Sequence, residues 1–129
     1  MKPEIRDEWA DALDSGEYKQ GTKRLTTVLD DGTEEDCCLG VLCKLAVKAG
    51  VIPEPVITYD IAVKQKAYGM NGAVGLMPDE VMEWAGVDPA GYGNTVTLDY
   101  DNRATNADYL NDSKGLTFKE IAKLVREQL

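Results

Sequence analysis

Cys37, Cys38 and Cys43 are the residues of this chain whose type and closeness come nearest to chemistry. Zinc takes four Cys or His ligands, usually as pairs two to four residues apart. Here two cysteines are adjacent, so their side chains point in different directions, and the sequence contains no histidine to complete a set. A thiolate at a helix start gains reactivity from the positive helix end, but nucleophilic catalysis needs a base, and histidine is again missing. The pattern predicts small apolar packing residues, with no metal site, no cofactor and no catalytic set.

Other patterns fail on similar counts. Asp99, Asp101 and Asn102 suggest the start of a calcium loop. An EF-hand needs glycine at its sixth position and glutamate at its twelfth, where this chain has Ala104 and Leu110. Gly91-Tyr92-Gly93 begins like a dinucleotide-binding turn but neither follows a predicted strand nor opens a helix. Gly115–Ala122 reads like the first helix of a helix-turn-helix, yet no recognition helix follows before Leu129.

Binding is easier to place than reaction. Tyrosine beside glycine and asparagine suits recognition surfaces, because the ring offers contact area at little entropic cost. Tyr18, Gln20, Tyr92 and Asn94 are the candidate ligand-binding residues on that ground. The densest acidic run ends at Asp36 and offers Asp30, Asp31, Glu34 and Glu35 as a candidate partner-binding surface. It could also mimic nucleic acid. A formal charge of −9 repels phosphate backbones, so binding to nucleic acid itself is not expected. An enzyme acting through paired carboxylates or a thiol is the alternative to a binding protein.

These residues must be positioned by an α+β fold. Residues 38–49 read as a central helix, apolar on nearly all sides, with Gly40, Lys44 and Lys48 as a single polar seam. Gly50 follows as its left-handed stop. Before it, Arg24–Leu29 and Glu34–Cys37 flank Asp30-Asp31-Gly32-Thr33, whose Asp-Gly pair signals a tight hairpin turn. The first helix spans Pro3 to about Leu13, with Ile5, Trp9, Ala12 and Leu13 on its buried face.

Val51–Val56, with two prolines, must be extended. One strand is expected near Ile61–Tyr68, with Ala73–Leu76 pairing back after a turn at Gly69–Gly72. A short helix covers Pro78–Ala85. Asp88–Asn94 is a loop, Thr95–Leu98 a strand, Asp99–Asn102 a polar turn, and Asn106–Leu110 one helical turn. Thr117 and Glu120 form a capping box opening a last amphipathic helix, with Leu116 able to staple against Ile121.

The expected architecture is one domain over residues 1–129, a small antiparallel sheet packed against three or more helices. Its 43% hydrophobic content is too high for disorder. No run of about 18 apolar residues predicts a membrane span. The charged start Met1–Glu8 lacks a signal-peptide core, and three unpaired cysteines suit a reducing compartment, so a cytoplasmic location is expected.

The block Trp9–Gln20, followed by Cys37-Cys38-Leu39-Gly40-Val41-Leu42-Cys43, resembles a group of small tailed-phage proteins, especially those of actinobacterial phages. Leu76-Met77-Pro78, Glu83–Gly86, Leu110–Asp112 and Thr117–Ala122 are similar to the second half of the same group. The chain departs from that pattern at Lys44, where Asp is frequent, and at Asp36, where an aromatic residue is usual. The second departure predicts a more exposed end to the hairpin. The resemblance implies no activity. It implies a phage accessory protein that binds a host protein, as an inhibitor, or sequesters a small ligand in the host cytoplasm.

Overall fold

The computed structural model describes residues 1–89 and 93–129. Its elements are α1 (Pro3–Asp14), β1 (Thr26–Val28), β2 (Glu34–Asp36), α2 (Cys38–Lys48), β3 (Val56–Asp60), β4 (Val63–Ala67), α3 (Asp79–Ala85), β5 (Thr97–Tyr100), β6 (Arg103–Asn106), α4 (Ala107–Asp112) and α5 (Phe118–Gln128). The first four strands form an antiparallel sheet in the order β2-β1-β4-β3, and β5 and β6 make a separate hairpin. The fold is α+β, as the sequence predicts.

Helix α2 is its axis. Every residue from Cys38 to Cys43, with Leu45 and Ala46, is buried, and α1, α3 and α4 all pack on it. Trp9 of α1 fixes the crossing, its Nε1 donating to the Cys38 carbonyl at 2.9 Å. Gly50, at φ +76°, turns the chain so that Gly50 N–H reaches the Val47 carbonyl and Val51 N–H that of Ala46, satisfying the helix end. Helix α5 lies along α1 and opens with the expected box: Thr117 Oγ1 accepts from Glu120 N–H, and Glu120 Oε1 accepts from Thr117 N–H.

Several expectations change, among them the strand expected at Ala73–Leu76, which is reduced to an isolated bridge between Tyr68 and Ala73. Gly40 does not belong to the polar seam: it is buried, and a Cβ there would stand 1.8 Å from the Leu25 carbonyl oxygen. Glycine is what lets α2 press against the chain entering β1. Asp36, expected to be exposed, is 1% exposed because Thr26, directly opposite, and Lys44 give both of its oxygens partners.

The single strand expected near Ile61–Tyr68 is a hairpin, β3 to β4, which also takes in Val56 from the segment read as extended. Its turn carries no glycine, asparagine or proline signal. Instead Ile61 itself adopts φ +56°. Likewise the strand expected at Thr95–Leu98 is shifted to Thr97–Tyr100, and the polar turn shrinks to Asp101 and Asn102, at φ +52° and +64°. That tight turn brings back β6, which the sequence reading did not separate.

The Gly-rich loop expected over Asp88–Asn94 includes residues 90–92, which lie outside the described residues. No helix among those described is long and apolar enough to cross a membrane.

Candidate functional site

Side chains alternate along a strand, so β2 turns Glu34 and Asp36 to one face and Glu35 to the other. Glu35 lies 3.3 Å from Lys19. Glu34 and Asp36 meet Lys44, which the i to i+4 spacing of the helix places on the same stripe as Lys48. Lys44 Nζ stands 2.8 Å from Glu34 Oε1 and 2.9 Å from Asp36 Oδ2, and 5.8 Å from the centre of the Tyr18 ring. Lys66, on β4, closes the other side of Glu34 at 2.6 Å.

Behind this row, Thr26 Oγ1 donates to Asp36 Oδ1 at 2.5 Å and lies 2.7 Å from the Tyr68 hydroxyl. A threonine hydroxyl has one proton, so Tyr68 must be the donor to Thr26. The bonds thus run in one direction, from Tyr68 through Thr26 to Asp36. Asp36 and Lys44 are bonded to each other.

In front lies a cleft of about 350 Å³ whose walls include Tyr18, Lys44, Val47, Lys48, Pro55 and Lys66. A second hollow of about 640 Å³ shares Tyr18 and Lys44 and runs toward Gly32 and Thr33 in the β1–β2 turn. Glu54 is the one carboxylate on the wall of the first, against three lysines. Two of those lysines, Lys44 and Lys66, are neutralised from behind by Glu34 and Asp36, which leaves Lys48 as the wall's uncommitted charge among the described residues.

Burial by itself would raise the Glu34 carboxyl, but the bonds from Lys44 and Lys66 outweigh it and hold the group below its ordinary value. At Asp36 burial wins over the Thr26 and Lys44 bonds, and its pKa is raised. Burial would lower Lys44, yet its two carboxylates raise it, so the ammonium is kept charged. Tyr68 is raised by burial and stays protonated. The result is a charged, fully bonded wall with fixed geometry.

The sequence matches the family described as Domain of unknown function (DUF8296) over residues 1–129. The chain belongs to that family. No curated protein and no solved structure matches it.

Within this DUF8296 chain the candidate residues divide. Tyr18, Asp31 and Glu34 line the joined hollows. Asp30 borders a separate depression beside Val28 and Lys64. Glu34, Glu35 and Asp36 each meet a lysine, and they lie on two faces, so the acidic run is no single surface.

Gln20 is a bracket. Its Nε2 donates to Asn111 Oδ1 and the Leu116 carbonyl, and its Oε1 accepts from Phe118 N–H at the start of α5. Asn94 donates to Asp79 in the first turn of α3 and is not part of the cleft wall. Tyr92 lies outside the described residues.

All three thiols are buried. Burial pushes Cys37 up to about 12 and raises Cys38 and Cys43 as well. Among the described residues no group of three His, Cys, Asp or Glu side chains could hold a metal ion.

Lys44, Lys48, Lys66 and Tyr68 were not among the candidates. The two helical lysines were visible as the polar seam of an otherwise apolar helix. Lys66 and Tyr68 reach the site only through the register of β4 against β1, Val28 opposite Lys64 and Thr27 opposite Gln65.

Proposed function

We propose that the protein acts by binding, holding a small organic anion in the cleft between α2 and the sheet. What carries this reading is the arrangement of Lys48. It stands exposed on the wall, one turn from Lys44, and enters no ion pair among the described residues. Lys44 and Lys66 are already committed to Glu34 and Asp36, so they present a positive but immobile backdrop. Lys48 is left to meet an acidic group, while Val47, Pro55 and the Tyr18 ring offer apolar area for the rest of the ligand.

Catalysis is the weaker reading. Asp36 is buried with both oxygens filled, and the thiols lie inside the core. The likeness to tailed-phage proteins supports a role in sequestering a ligand of the infected cell.

A thermal-shift screen with nucleotides, sugar phosphates and small carboxylates tests it. At least one class should raise the melting temperature. Lys48→Glu and Tyr18→Ala should each weaken binding of that compound about tenfold or more, the loss of one charge-assisted contact or one ring face. A panel that shifts nothing, or a compound that binds both variants as it binds wild type, contradicts the proposal.

A further inference from the structure

Strand β3 is one of the two edges of the sheet, and both of its faces are open. Four large apolar side chains crowd this strand and its turn: Val56 is 67% exposed, Ile57 44%, Tyr59 71% and Ile61 100%. Protein edges are usually blunted with charge or proline. Here Pro55 stands just before the strand, and its one charge, Asp60, is held 3.3 Å from Arg24. Ile61 is also a β-branched residue at positive φ, a strained conformation left fully in solvent.

The hairpin register says which backbone groups are free. A two-residue turn closes on a hydrogen-bonded pair, here Asp60 and Val63. Val56, Thr58 and Asp60 therefore commit their N–H and C=O groups to β4. Ile57 and Tyr59 turn theirs outward.

We propose that this edge pairs with β3 of a second copy of the chain, antiparallel and centred on Thr58. The strand is self-complementary in that register. Ile57 falls opposite Tyr59 of the second copy and Tyr59 opposite its Ile57, aromatic against β-branched on one face, with all four outward N–H and C=O pairs bonded. Pro55 meets Ile61, a further apolar contact, and its missing N–H ends the ladder there. Val56 meets Asp60, so no like charges are opposed.

Thr58 meets itself on the axis. Its Oγ1 is buried and without a partner among the described residues, and a turn about χ1 brings the two hydroxyls within reach of each other. Pro55 is also a wall of the cleft, so Ile61 of the second copy stands at the cleft's rim.

An edge of this length presents roughly 400–500 Å² per copy, which puts the pair near the lower limit of about 1,000 Å² for a specific interface. A weak dimer follows. Two chains of charge −9 repel each other, so added salt should strengthen the contact rather than weaken it.

Sedimentation equilibrium on the full chain from about 10 µM to about 1 mM covers the affinity expected of so small a contact. Wild type should pass from one chain to two across that range, more readily at higher salt. Ile57→Pro removes an outward donor without touching a bond to β4, and Tyr59→Lys sets a charge on the edge. Both should stay at the mass of one chain with unchanged circular dichroism. A wild type that is monomeric throughout overturns the proposal, as does dimerisation of folded Ile57→Pro and Tyr59→Lys equal to that of wild type. So does a monomer whose edge captures only a foreign strand peptide.

Discussion

Lys44 touches two carboxylates and an aromatic ring, and it is the residue on which the cleft wall depends. Removing one member of a largely desolvated ion pair leaves the others charged and unpartnered, which costs more than the pair itself contributes. Lys44→Met should therefore destabilise the protein by about 3 kcal/mol in urea unfolding, because Asp36 is 1% exposed. Lys48→Met, on the exposed end of the same stripe, should stay within about 0.5 kcal/mol of wild type.

The pH dependence separates the charges. Lys44 is raised above 10.5 in the folded state, so its contribution is complete below that pH and is lost as pH climbs through the folded value. Tyr68, also raised, adds a loss in the same alkaline direction, from its ordinary value of 10.0 upward. Glu34, lowered, loses its contribution only as pH falls below 4.5. Asp36, raised, has the opposite sign to Glu34 and destabilises slightly once ionised. Wild type should thus fall toward Lys44→Met in stability above pH 10.5, the gap closing as Lys44 deprotonates. A gap that stays constant from neutral pH to alkaline pH counts against the ion-pair account.

At the scale of elements, α2 and its contact with the chain entering β1 matter most. A methyl group at residue 40 has no room, since the obstacle is backbone, Leu25 C=O, and not a movable side chain. Gly40→Ala should cost about 3 kcal/mol or more, read from the midpoint of urea unfolding with an unchanged slope. An effect under about 0.5 kcal/mol, within surface-site scatter, contradicts the close packing of α2 on that strand entry.

The same helix shows what could be read in advance. Its apolar circumference, the Gly50 stop and the Thr117–Glu120 box are local signals, and each led to the right element. Local rules failed where two strands are joined by residues with no turn signature, as at Ile61, whose positive φ is imposed by pairing of β3 with β4. They failed again at Asp36. An aspartate reads as exposed until the register of β1 against β2 supplies Thr26 and the turn into α2 supplies Lys44. Of the candidate residues, Tyr18, Asp31 and Glu34 line the hollows, whereas Gln20 is held by three partners at residues 111–118, some 90 positions away in sequence and beyond the reach of any local signal.

In the whole molecule a four-stranded sheet meets a helical body, and Glu34, Asp36, Lys44 and Lys66 bond one another where they meet. The chain carries a charge of −9, and the wall of the cleft at the joint holds three lysines and one carboxylate, two of the lysines being paired with Glu34 and Asp36. On the proposed function, Lys48 meets the anionic ligand beside lysines already held by their carboxylates, which limits the entropic cost of binding. Within the acidic run 30–36, Glu34 and Asp36 are bonded to Lys44 of that wall.

An amide NMR titration of the labelled protein with the compound that stabilises it most tests this account directly. Resonances of Tyr18, Lys44, Val47, Lys48, Glu54 and Lys66 should move together and saturate, with the β5–β6 hairpin and α5 unaffected. Shifts that cluster elsewhere, or that spread evenly over the chain with no change at Lys48 and Tyr18, would contradict it.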